Sequence, residues 1–211
     1  MTIADDIRDE RARLAATLAA AGPDATTLVG AWRARDLASH IATQDRLFGV
    51  PAFFARSFVR ITGLRLTAAY RDRPLVGLLI NGRTKSWNKS LEILRRPAPD
   101  LVVRARIAPI TLWELIVHHE DVRRPNGLSR EDVPDLDAVL TWLLVYNAPR
   151  LPATTRTHSK DGTTRIEIGA DISIEGSTLE AVLWLSGREN TDLTFHGPRA
   201  EIDKLREQLR V

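Results

Sequence analysis

A chain of 211 residues with 44% hydrophobic content can hold one large domain, or a medium and a small one, each around a buried core. With no cysteine it can form neither disulfides nor thiolate metal sites, which fits a cytoplasmic location. The net charge of +3 is modest, no charge-free apolar run of about 18 residues is present to form a transmembrane span, and the acidic start MTIADDIRDERARL reads against a secretory signal.

The first predicted element is a helix over Ile3 to Ala21. Ile3, Ile7, Leu14 and Leu18 share a face, and Gly22-Pro23 stops it. Arg11 interrupts that stripe, so the helix is expected to be partly exposed. A second helix begins near Arg33, with Asp36 in its first turn and Leu37, His40, Ile41, Gln44 and Leu47 on one face. Residues 50 to 73 mix Phe53, Phe54, Phe58 and Ile61 with arginines and read as a short helix or a lid. From Pro51 to Arg106 there are twelve Lys or Arg against three acids, a segment suited to an acidic partner, an anionic substrate, a membrane surface or plain solvent. No nucleic-acid motif accompanies it, so no nucleic-acid partner is expected.

Helical pattern returns over Leu75 to Arg95, over Ile110 to Val122 and over Asp135 to Asn147. After Leu151 the texture changes. "TRTHSKDGTTRIEIG" reads as a hairpin about Asp161-Gly162 and "ADISIEG" as a further strand. A helix follows from a Ser177 N-cap with Glu180 at the capping-box position, then a strand over Thr191 to Gly197 and a last helix from Pro198. The expected fold is mainly α with a small α+β C-terminal domain, divided as 1–150 and 151–211.

The chemistry concentrates in "TLWELIVHHEDVRRP", Thr111 to Pro125. At about 100° per residue, His118 lies some 40° from Glu114 and Asp121 about 20° to its other side, so the three form one polar stripe. Leu112, Leu115, Ile116, Val117 and Val122 flank it, so the helix should be buried and its polar groups partnered. Glu and His one turn apart supply half of a metal site, and His40, on the second helix, is the best remaining donor. His40, Glu114 and His118 suit zinc with a position open to water or substrate, and Asp121 or Asp36 could orient an imidazole from behind. The same spacing also makes an ordinary surface ion pair, so the residues alone leave both readings open. His119 reads as a surface or interhelix hydrogen-bond partner, and His158 and His196 as structural or exposed.

"AWRARDLASHIATQDRLFG" resembles the Trp-x-x-x-Asp-Leu-x-x-His helix of the DinB-like proteins, in particular the mycothiol-dependent maleylpyruvate isomerase group. "LWELIVHHEDVRRP" is similar to that group's Glu-x-x-x-His-x-x-Asp helix, and "STLEAVLWLSGRENTDLTFHG" to its small C-terminal domain. The resemblance covers most of the chain in order. It implies a DinB-like four-helix bundle binding a divalent metal, usually zinc, through His40, Glu114 and His118, followed by a sterol-carrier-like α+β unit. It also implies Arg188 as a residue for an anionic group of the thiol cofactor. "HHEDVRR" looks closer to an actinobacterial metal-binding branch, and the basic Pro51 to Arg73 segment departs from the isomerase pattern.

The expected function is therefore a thiol-cofactor (mycothiol)-dependent isomerase or S-transferase. Its metal would activate the thiolate toward a small electrophilic substrate. The alternatives are metal-activated water, a non-catalytic small-molecule or lipid carrier with Phe53 to Leu66 as cover, or a regulatory protein. In that last case the metal would be structural, closed by Asp121 or Glu120 as fourth ligand.

Overall fold

The computed structural model describes residues 2–47, 86–100, 103, 107–130, 132–152, 154–160 and 162–209. The readings of 50–73 and of the first part of 75–95 lie outside the described residues. The described chain is mostly helical with one small antiparallel sheet, and it divides into two compact units, Met1–Asp132 and Val133–Val211. No described helix is long and apolar enough to cross a membrane.

Four helices of the first unit are described: α1 (Ile3–Ala21), α2 (Ala34–Leu47), α3 (Trp87–Arg95) and α4 (Ala108–Arg123). Thr2 and Asp5 form a reciprocal capping box that starts α1, and Gly22, at φ 86°, ends it. α1 packs on α4 and α3, and α2 packs on α3. Ile7, Leu14, Leu18, Leu37, Leu94, Leu112 and Ile116 make the core. The expected partial exposure of α1 at Arg11 is corrected. Arg11 is only 2% exposed, and its Nη2 donates to the Ile93 carbonyl at 2.9 Å. A long cationic side chain can line an apolar interface when its head finds a backbone acceptor.

α4 is buried on nearly every side, from Leu112 through Val122. A helix with no solvent face must provide partners for each polar side chain it carries, and this one carries His118, His119, Glu120 and Asp121. A short 3-10 turn, Arg124–Asn126, follows, and Gly127 at φ 62° closes it.

The second unit holds α5 (Asp137–Asn147), β1 (Arg156–Lys160), β2 (Thr163–Ile168), β3 (Ile172–Ser177), α6 (Thr178–Leu185), β4 (Leu193–His196) and α7 (Arg199–Leu209). The strands run in the order β1-β2-β3-β4, all antiparallel. Lys160 pairs with Thr163 across the expected two-residue turn, with Gly162 at φ 75°. Ile166, Ile168 and Ile174 point inward beneath α6, whose Leu179, Val182, Leu183 and Leu185 are buried.

Two expectations change here. The domain boundary lies at Asp132/Val133 rather than 150, because α5 packs against α6. Asn147, fully buried, donates through Nδ2 to the Leu185 carbonyl at 3.1 Å and to Leu143 at 2.9 Å. The Ser177 cap forms, its hydroxyl accepting from the Glu180 N–H. The Glu180 carboxylate does not reach back to it. It accepts the Asp192 N–H at 2.9 Å and so ties α6 to the approach of β4.

Candidate metal centre

Three side chains from two helices converge in the first unit. His40 of α2 and Glu114 and His118 of α4 each offer one ligand atom, and these atoms lie within 4.8 Å of one another. His118 Nε2 is 3.2 Å and His40 Nε2 3.9 Å from Glu114 Oε2. The imidazole centroids are 5.3 Å apart with the rings near perpendicular, at 86°. His40 is 5% and His118 9% exposed, so neither ring is turned to bulk water. This is the arrangement the helical spacing pointed to, with the two helices supplied by the fold.

Asp121 lies against the His118 ring. Its Oδ2 is 2.9 Å from His118 Nδ1. A carboxylate only accepts, so Nδ1 carries the hydrogen and Nε2 is directed toward Glu114. Burial disfavours the charged form of His118, but hydrogen bonds to Asp121 and Glu114 and their charges outweigh it and push its pKa up to about 9. Burial likewise works against ionisation of Glu114. The hydrogen bond from His118 and the nearness of His40 prevail and hold its carboxyl well below the usual range.

Asp36, the other candidate, sits elsewhere. Its Oδ2 accepts the Arg33 backbone N–H at 2.9 Å, capping the start of α2. Trp32, one residue before that cap, meets His40 edge to face, with centroids 5.2 Å apart. The Trp-x-x-x-Asp-Leu-x-x-His pattern contains both residues, but their spacing alone does not bring the rings together, because Trp32 lies before the helix and the pairing depends on the turn that precedes it.

The donor set fits a divalent cation. Two imidazoles and a carboxylate are a zinc set, and the 3.2 Å between His118 Nε2 and Glu114 Oε2 is close to the ~3.3 Å edge of a tetrahedral zinc sphere. The same donors with open positions also serve iron(II), so the set constrains the metal to those that accept nitrogen and oxygen without fixing which. One orienting carboxylate behind a ligand imidazole is the usual support of such a site.

The neighbouring polar residues of α4 belong to a separate network on its other side. His119 is 3% exposed and interhelical. Its Nδ1 lies 2.6 Å from Glu10 Oε1 and its Nε2 2.7 Å from Thr17 Oγ1. Glu120, fully buried, accepts from Arg123, Arg124 and Arg130 at 2.6 to 3.1 Å. Arg130 also donates to Glu10 at 2.8 Å. Sequence reading missed this network, whose members are 109 and 120 residues apart, because no local spacing signals it.

In the second unit Arg188 follows α6, and its Nη1 donates to the Ser186 carbonyl at 3.2 Å. His158 and His196 are exposed on strands, as expected. Comparison of the chain with family models, curated proteins and solved structures finds no match.

Proposed function

We infer that this chain is a divalent-metal protein whose metal, most readily zinc, is held by His40, Glu114 and His118 and takes an exogenous small molecule as a further ligand. The observation that carries the reading is the convergence of three donor atoms, two buried and one half-buried, within 4.8 Å from two helices. The hydrogen bond that fixes the His118 tautomer supports it.

The finer reading is a DinB-like enzyme using a low-molecular-weight thiol such as mycothiol, for isomerisation of a small electrophile or for S-transfer. A divalent cation there would supply Lewis acidity, favouring the thiolate over the thiol at neutral pH. The residues do the rest. Asp121 keeps the His118 Nδ1 proton and its ring plane fixed. The apolar neighbours of α4 keep the His40 and His118 rings largely out of bulk water. The chain has no cysteine, so the nucleophilic sulfur comes with the cofactor. Arg188 enters this reading as a residue for the cofactor's anionic group, by the sequence resemblance alone.

Zinc analysis of protein purified without chelator or nickel resin tests the metal. One zinc per chain is expected, falling to near zero in His118→Ala with the helical circular dichroism retained. Full zinc retention in that variant sinks the site. Zinc-loaded protein should then gain thermal stability with mycothiol and not with lipid. A shift with lipid alone favours a carrier instead.

A further inference from the structure

Asp121 bonds the His118 ring from outside the ligand set, and Trp32, also outside it, lies against the His40 ring. We propose that Trp32 is a positioning residue for His40, and that the 23–33 loop carrying it is a built wall of the metal centre, pinned to α4 through Asp121. This rests on the metal reading above and concerns how one ligand is held.

Residues 26 to 33 form a closed, heavily bonded loop. Thr26 and Arg33 bridge in antiparallel fashion. The Ala34 N–H donates to Ala25 and the Arg35 N–H to Pro23, both at 3.0 Å. The Thr27 hydroxyl donates to the Trp32 carbonyl at 2.9 Å and accepts the Val29 N–H at 3.2 Å. The Trp32 N–H returns to the Val29 carbonyl at 2.9 Å, across Gly30 at φ 51°. A left-handed residue at that position favours glycine. With its N–H and C=O both bonded within the loop, the Trp32 backbone has a defined place.

The loop is fastened to the end of α4. The Leu28 N–H donates to the Asp121 carbonyl at 2.9 Å. Asn126 Nδ2 donates to both the Thr26 carbonyl, at 2.9 Å, and the Val122 carbonyl, at 2.6 Å. Asp121 therefore acts twice. Its carboxylate holds the His118 ring, and its backbone oxygen holds the loop that brings Trp32 to within 5.2 Å of the His40 ring.

Trp32 is half-buried and stands apart from the fully buried side chains of the core. A contact with the His40 imidazole suits an indole for a physical reason. Edge contacts between aromatic rings are favourable beyond the area they bury, and the large indole gives the imidazole a broad edge contact at 5.2 Å. The edge contact also restricts ring rotation, lowering the cost of fixing His40 when the metal binds.

Trp32→Phe and Trp32→Leu in the full chain separate ring contact from apolar bulk. Zinc affinity by chelator competition, the visible absorption of the cobalt(II)-loaded protein, and melting of the metal-free protein are measured for each. Trp32→Leu is expected to weaken zinc about 10- to 100-fold and to shift the cobalt bands. Trp32→Phe should stay within about threefold of wild type, a span of well under 1 kcal/mol. The two metal-free variants should melt alike. Wild-type zinc affinity in Trp32→Leu, or equal losses in both variants, overturns the proposal while leaving the metal site standing. A wild-type chain that binds neither zinc nor cobalt stoichiometrically overturns both.

Discussion

Raising the pH should tighten metal binding about tenfold per unit between pH 7 and 8.5, with one proton released for each metal bound. The cause is His118. In the metal-free protein burial disfavours its charge, but the bonds and charges of Asp121 and Glu114 push its pKa from 6.5 up to about 9. At neutral pH it is thus an imidazolium, with Nδ1 2.9 Å from Asp121 Oδ2 and Nε2 3.2 Å from Glu114 Oε2. A cation can take Nε2 only after that proton leaves. A proton held at pKa about 9 lowers the apparent affinity at pH 7 about 100-fold, or roughly 3 kcal/mol. Chelator competition across the pH range gives the slope, and titration calorimetry in buffers of different ionisation enthalpy counts the protons. A flat profile, or binding without proton release, refutes the reasoning.

The same shift fixes the sign of a stability effect. A histidine whose folded pKa lies above its ordinary 6.5 contributes fully below about that pH, and its contribution is lost as the pH rises through about 9. The metal-free chain should therefore lose stability, on the order of 3 kcal/mol at most, between those values. The metal-loaded chain should not follow it.

Arg130→Ala should destabilise the first unit by about 3–5 kcal/mol in thermal or urea unfolding, because it strips counter-charge from the buried Glu10 and Glu120. Zinc stoichiometry should be unchanged, and a loss below about 1 kcal/mol would contradict the network. Acid should act on the same network. Burial raises the pKa of both carboxyls, but His119 and Arg130 around Glu10, and Arg123 and Arg124 around Glu120, lower them, Glu120 to about 2. Their stabilisation is present above the ordinary 4.5 and is lost as the pH falls from there toward 2, so Glu120→Gln should show shallower acid unfolding by circular dichroism. In the second unit, Asn147→Ala should cost about 1–3 kcal/mol by leaving the buried Leu185 carbonyl short of a donor. A neutral result would remove Asn147 as the tie between α5 and α6.

Much of this was legible locally. The extent of α1 was read from its apolar spacing and a Gly-Pro stop, and the stripe of Glu114, His118 and Asp121 from helical rotation, since both depend on near neighbours in the chain. The small sheet followed from alternation and a Gly turn. The failures share one cause, which is that the deciding partner is remote. Arg11 looked like a surface residue because Ile93, whose carbonyl accepts from it, lies 82 positions away. α5 was assigned to the first unit because it is helical like its predecessors. Its place is set by packing on α6 and by a hydrogen bond spanning 38 residues. Asp36 was read as a support for His40 because it lies one turn away, but a carboxylate in the first turn has a nearer donor in the helix's own N-terminal N–H groups.

Whether the metal would be structural or functional turns on the fourth ligand, and α4 bears on that directly. Asp121 and Glu120 were the two acids that could have closed the site. Asp121 directs Oδ2 to His118 Nδ1, the nitrogen facing away from Glu114, so it supports a ligand from behind. Glu120 faces the opposite side of the helix, where Arg123, Arg124 and Arg130 engage both of its oxygens. Recruiting it would take its carboxylate from the nearly buried Arg130 and the part-buried Arg123 and Arg124, which is costly. Among the described residues the set has three donors, and three protein ligands are the number found in zinc sites that keep a position for substrate or water. On the proposed reading, a borderline-soft metal held by these three donors in a chain without cysteine would take a sulfur from outside the chain. This links the geometry of α2 and α4 to the thiol chemistry proposed for them.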